Sequence, residues 1–93
     1  MRNKAKIIFL SKEQGGRHTP PSSGYKPNIK IGEILTSCIV TPVDSSITIM
    51  DFGIEYFVFI ELQFESLYLD NIYKGIKIHL YEGRKLIGMG EFI

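Results

Sequence analysis

The sequence holds a single cysteine, Cys38, and only two histidines, His18 and His79, in 93 residues. One thiol excludes an internal disulfide framework. Without a CxxC or HxxxH pair, these three side chains have no metal-ligand spacing. Apolar runs are short as well. None approaches the roughly 18–20 residues that cross a bilayer as a helix. The four apolar residues Ile7 to Leu10, after the basic start, are too few for the core of a signal peptide. These absences lead to the expectation of a soluble protein in a reducing, cytoplasmic setting.

Catalytic signatures are missing too. There is no G-x-x-x-x-G-K-[ST], so no nucleotide binding by a Walker loop is expected. Gly88-Met89-Gly90 is a bare GxG inside a strand pattern, which close backbone packing explains better than a dinucleotide fingerprint does. Ser22 and Ser23 lack the G-x-S-x-G elbow. Glu61 and Glu65, read on one strand face, would sit roughly 13 Å apart, too far for a glycosidase pair. No segment of ten residues carries a capped helical stripe. The expectation is a protein that is not an enzyme and uses no cofactor and no metal.

What is present is β pattern and aromatic bulk. Apolar residues make up 44% of the chain, with six Phe and five Tyr to fill a core, enough for one small domain that buries roughly 60–65% of its unfolded surface. Ala5–Leu10 is a short run of β-formers. Ile76–Tyr81 alternates with its even positions apolar, and Glu61–Glu65 alternates as well, the period of a strand with one face in the core. Ile34–Thr41 and Ser46–Met50 are β-branched and bounded by Pro42 and Asp51; Leu86–Ile93 reads as a terminal strand. Five or six short strands predict a small antiparallel barrel or sandwich. Gly83 supplies the positive φ for a hairpin turn at Glu82-Gly83-Arg84. Tyr56-Phe57-Val58-Phe59-Ile60 is apolar on both faces. Either the long loop or a terminus covers the second face, or Tyr56, Phe57 and Phe59 form a surface for a protein partner or for self-association.

Charge is unevenly divided although the net is +1. Residues 1–30 carry seven bases and one acid, while residues 31–93 carry four bases and nine acids. The division makes either a basic patch for a polyanion or, if strand pairing interleaves the halves, merely two solvated faces. Most of the basic half is a loop, Ser11–Pro27, rich in Gly, Pro and Ser, and a loop of that length is usually functional or disordered. Within it, Gly15-Gly16-Arg17-His18-Thr19 offers two glycines that can turn several amides one way beside an arginine that can fork onto phosphate. Gly-Gly-Arg equally serves ordinary turns.

The segment Leu10-Ser11-Lys12-Glu13-Gln14-Gly15-Gly16-Arg17-His18-Thr19-Pro20, followed by Ser23-Gly24-Tyr25-Lys26-Pro27, closely resembles the start of the third domain of bacterial elongation factor Tu. Glu82-Gly83-Arg84-Lys85-Leu86-Ile87-Gly88-Met89-Gly90 resembles that domain's last hairpin. The likeness is strong over residues 8–40 and 75–92 and weak between 42 and 74. It implies a closed six-stranded antiparallel β-barrel, Greek-key-like, here expected as a stand-alone module without a GTP-binding domain or second barrel.

In that family the barrel touches the T-stem backbone of aminoacyl-tRNA and packs against the GTPase domain and the exchange factor. By position, the resemblance places RNA contacts at Arg17 and His18, at Asn28 in place of a glutamine, at Ser37 in place of a threonine, and at Glu82 and Gly83. Tyr25, Lys26, Arg84 and Lys85 flank them. The replacements keep the hydrogen-bonding ability that phosphate, ribose or a minor-groove edge requires. Two features depart from the family: Tyr68-Leu69 stands where a basic residue and a proline are usual, and Asp51-Phe52-Gly53 replaces a Pro-Gly-Asp turn. The partners implied are tRNA or other structured RNA, bound weakly and with steep salt dependence, or alternatively a GTPase or another translation protein.

Overall fold

A computed structural model describes residues 3–93. Six strands, β1 (Asn3–Phe9), β2 (Asn28–Ile31), β3 (Ile34–Pro42), β4 (Glu55–Leu62), β5 (Lys77–Glu82) and β6 (Lys85–Phe92), close into an antiparallel barrel in the order β1-β4-β3-β2-β5-β6. Strands β2, β3 and β4 follow one another as neighbours and β5 returns to lie beside β2, a Greek-key path. Only single 3-10 turns interrupt the strands, and no described helix is long and apolar enough to cross a membrane.

Period-two alternation decides what fills the lumen. Ala5, Ile7 and Phe9 of β1 point in, as do Ile29 and Ile31 of β2, Cys38 and Val40 of β3, Val58, Ile60 and Leu62 of β4, Ile78 and Leu80 of β5, and Phe92 of β6, while Ile87 is buried out of that phase, at a one-residue register shift against β5. Met50 plugs one end, fully buried, while Tyr68 and Ile72 pack against the core from the segment that joins β4 to β5. Among the described residues, no polar or charged one is buried in the core. Burial pushes the Cys38 thiol up to about 12, and its Sγ rests 3.6 Å from the Pro27 carbonyl. It behaves as a small apolar side chain.

Four readings of the pattern need correction. The strand expected over Ser46–Met50 is a turn with one isolated bridge, Ser22 to Ile49. There the Asp44 carboxylate accepts from both the amide (2.9 Å) and the hydroxyl (2.7 Å) of Ser46, a local bond that competes with a ladder. The alternation of Glu61–Glu65 does not continue as strand. Gln63 donates to the Ser37 carbonyl, Phe64 turns into the left-handed region at φ 57°, and Glu65 begins a 3-10 turn, so the two glutamates share no strand face. Strand β2, flanked by Pro27 and Gly32 and only four residues long, escaped the pattern. Tyr56 is in phase with Val58 and Ile60, packs against the core and accepts a hydrogen bond from the Asp51 amide at 2.9 Å. It therefore does not belong to the outer face on which Phe57 and Phe59 lie.

Closure sets the tightest contact. A Cβ added to Gly90 would stand 1.8 Å from the Lys6 carbonyl oxygen, and one on Gly88 would meet Phe9 Cδ1 at 3.2 Å. The GxG is thus where β6 is pressed onto β1. Gly90→Ala is expected to cost more than about 3 kcal/mol or to prevent folding. Gly53→Ala, left-handed at φ 73° but with open space around its Cβ, should cost about 1–2 kcal/mol. Equilibrium urea unfolding measures both, and equal losses would refute the steric reading.

Candidate nucleic-acid interface

The loop from Leu10 to Pro27 leaves β1 and is ordered by its own backbone. Gln14 accepts from the Ser11 amide at 3.0 Å across the 3-10 turn Lys12–Gln14, and Gly15 closes it at φ 84°. The Gly15 and Gly16 amides donate to the Lys12 and Ser11 carbonyls at 3.0 and 2.8 Å, and the Arg17 amide donates to Leu10 at 3.3 Å. All three donors are consumed inside the loop. The two glycines make an ordinary turn rather than an anion cradle; Gly16 is required because a Cβ there would stand 2.0 Å from the Leu10 carbonyl oxygen.

With its backbone turned inward, the loop acts through side chains. Arg17 reaches the last hairpin: its Nη1 donates to Glu82 Oε2, its Nε donates to the Thr19 carbonyl at 3.0 Å, and its guanidinium carbon lies 4.6 Å from the centre of the Tyr25 ring. The Tyr25 hydroxyl donates to the same Glu82 oxygen. The Tyr25 ring stands edge-on to core residue Phe9, with centroids 6.0 Å apart. Two bridges complete the attachment, Tyr25 with Val40 and Ser22 with Ile49. The pieces of sequence that carry the family resemblance, 65 residues apart at Arg17 and Glu82, therefore meet at one carboxylate.

Around this clasp the expected residues fall into four groups. Arg17, Tyr25, Glu82, Gly83, Arg84 and Lys85 gather at the hairpin, where Gly83 takes φ 61° in the two-residue turn between paired Glu82 and Lys85. Asn28 lies next to it on β2, opposite Ser37 on β3 and Tyr81 on β5, so Asn28 and Ser37 are direct cross-strand neighbours. Lys26 lies further round. It lines an open groove of about 490 Å³ with Ser37, Ile39 and Glu61, away from the hairpin. His18 is exposed beside Arg17 in the chain.

Two residues that pattern reading did not place in the site belong to the same surface. Lys30 and Tyr81 line a shallow groove with Arg84 and Gly83. The alternation of β5 puts Tyr81 outside, but β2 gave no strand pattern, and its pairing with β5 had to be known before Lys30 and Tyr81 could be set beside the hairpin. Tyr68 is a half-buried aromatic packed on the core. No family model matches the chain.

Glu82 carries the electrostatics of the clasp. Burial, followed by the hydrogen bond to the Glu82 carboxylate, pushes the Tyr25 hydroxyl well above the usual phenol range. Because the folded pKa is raised, this contribution to stability is fully present below the unfolded value near pH 10 and is lost as pH climbs beyond it. Tyr25→Phe should cost about 1 kcal/mol at neutral pH and should lose stability less steeply than the wild type above about pH 10. Urea unfolding at a series of pH values tests this; parallel curves would mean that the hydroxyl is not held by Glu82.

Proposed function

We propose that this barrel is a non-catalytic, cytoplasmic module that binds the backbone of structured RNA, tRNA first, in the manner of the third domain of elongation factor Tu. The observation that supports the reading best is the meeting of the Arg17 loop and the Glu82–Lys85 hairpin through Glu82. It makes one surface from the two segments that resemble the family. Arg84, Lys85 and Lys30 supply charge on that surface, Asn28 and Ser37 supply short polar groups beside it, and Lys26 extends it round the barrel. Side chains of this kind hold phosphate and ribose without reading base sequence, and A-form RNA presents those groups on a wide, shallow groove. The closed barrel is also the fold that the resemblance implies.

Arg17 contributes to this function chiefly by position. Its charge is already shared with Glu82, so the cations left for phosphate are Lys26, Lys30, Arg84 and Lys85. With about four phosphate contacts, the slope of log K against log salt should lie near −3.

The experiment is a tRNA titration at low and moderate salt with wild type, Arg84→Ala/Lys85→Ala and Arg17→Ala. The double variant should fold normally, bind more weakly and lose about 1.5 from the slope. Arg17→Ala should weaken binding together with a lowered unfolding midpoint, because it frees the loop. Binding that ignores salt, or a double variant indistinguishable from wild type, would exclude this surface as the RNA site.

A further inference from the structure

The outside of the barrel differs sharply between its two sides. The closed order puts β1 opposite β2 and β4 opposite β5. The side formed by β2 and β5 carries Asn28, Lys30, Lys77, His79 and Tyr81 outward. The side formed by β4, β1 and β6 sets apolar residues, Ile8, Phe57, Phe59 and Met89, among Lys4, Lys6, Glu55 and Glu91. Phe57 is 56% exposed, Met89 40% and Val43 37%. Pair register makes these contiguous: Ile8 lies opposite Met89, Lys6 opposite Phe57, and the Val43 amide donates to the Phe57 carbonyl at 2.9 Å. Half-buried Phe59 continues the row beside Thr41. The long loop, one of the two candidates to cover this side, goes to the hairpin instead, and Phe57 stays in solvent.

The charges on this side have a particular arrangement. Lys6, at the centre, is neutralised: its Nζ is 3.2 Å from Glu91, which also meets Lys77 at 3.5 Å. The hydrogen bond from Lys6, together with the charge of Lys77, holds the Glu91 carboxyl below the usual range. A compensated lysine lowers the cost of covering the centre of the patch. The ends are not compensated. Lys4 stands opposite Phe59 at one end of the row and Glu55 opposite Ile8 at the other, both exposed and without an ion-pair partner among the described residues. Lys4 at one end and Glu55 at the other, on either side of the paired Lys6 and the apolar Phe57, form a self-complementary pair under a two-fold rotation.

We propose that this side is the interface of a two-fold dimer of the chain. The axis crosses the strands at the Lys6–Phe57 row. It packs Phe57, Met89 and Ile8 of one copy on those of its partner, and it brings Lys4 of each copy against Glu55 of the other. Such isologous contacts repeat every pair twice. A body of 34 × 30 × 20 Å offers, on one broad side, roughly the 800 Å² per partner that a standard interface buries. With a net charge of only +1, two copies meet little long-range repulsion. The dimer leaves β2 and β5 of both copies outward, on opposite sides of the assembly. The inference does not rest on RNA binding, and its test contains no RNA.

Sedimentation velocity over a wide range of protein concentration reads the association. Wild type should pass from monomer to dimer by mass action, and Phe57→Glu should remain monomeric over the same range with an unchanged unfolding midpoint, because the side chain is exposed. Phe57→Ser, which adds no charge, should also be monomeric, excluding simple repulsion. Lys4→Glu and Glu55→Lys should each weaken the dimer roughly tenfold, since each pair occurs twice. The double reversal should return to within about twofold of wild type. A wild type that stays monomeric throughout would overturn the proposal and leave the side for a different protein. Dimers that survive Phe57→Glu, or charge reversals without mutual rescue, would overturn it as well.

Discussion

The structure depends on one approach of backbone to backbone, that of β6 to β1 at Gly88 and Gly90. An open six-stranded sheet would present two unpaired edges; here the last strand is pressed so close to the first that even a methyl group at position 90 would collide with the Lys6 carbonyl. Side-chain packing alone does not close the cylinder. Closure also determines where the long loop and the last hairpin meet. Once β6 is fixed beside β1, the Leu10 amide reaches the Ile87 carbonyl at 2.9 Å, so the loop that leaves β1 starts next to the hairpin that enters β6. Between Leu80 and Tyr81 the register shifts by one residue, leaving Ile87 of β6 as the extra residue of a bulge just before the hairpin that carries Glu82.

The clasp at Glu82 is stronger as a group than any of its members. An exposed arginine–carboxylate pair is worth little on its own. This one shares its oxygen with a tyrosine hydroxyl, stacks its guanidinium on the same tyrosine ring, and is anchored through that ring to Phe9 in the core. Side-chain entropy is lost once for four interactions, which favours a fixed geometry. The arrangement also decides which charges are spent. Arg17 and Glu82 largely cancel, so the field at this end of the barrel comes from Lys30, Arg84 and Lys85 around it, a set that differs from the one suggested by the arginine in the glycine-rich segment.

Much of the fold was legible because alternation is a local property. Ile76–Tyr81 and Ala5–Leu10 report one buried face each, and β5 and β1 fall within a residue or two of those bounds. The turn at Gly83 followed from its need for positive φ. Failures came where a local bond or a distant partner decided the outcome. Ser46–Met50 has β-branched residues, yet Asp44 offers Ser46 a nearer acceptor than any strand does. Four residues of β2 cannot announce a strand by themselves; they pair on both sides because Ser37 and Tyr81 are brought to them. At the candidate site, residue types were readable and amide directions were not. Nothing in Gly15-Gly16-Arg17 tells whether its donors face water or its own carbonyls, and the structure has them facing inward.

The uneven division of charge along the chain has a similar resolution. Antiparallel closure sets the basic first thirty residues against the acidic remainder, so that Lys6 meets Glu91 and Arg17 meets Glu82. Strand pairing thus interleaves the halves, as a barrel joined end to end must. What it leaves over is informative. The lumen is filled by apolar side chains, and the side chains left outside differ from strand to strand. Lys30, Lys77, His79 and Tyr81 stand over β2 and β5, while Ile8, Phe57 and Met89 lie across β1, β4 and β6 beside the paired Lys6 and Glu91. Phe57 and Met89 stand outward on the two strands that flank β1, an exposed apolar grouping of the kind that marks an interaction surface. The proposed dimer would cover that grouping, and the proposed RNA contacts would use the polar groups of β2 and the hairpin, so the two proposals call on different parts of one small cylinder.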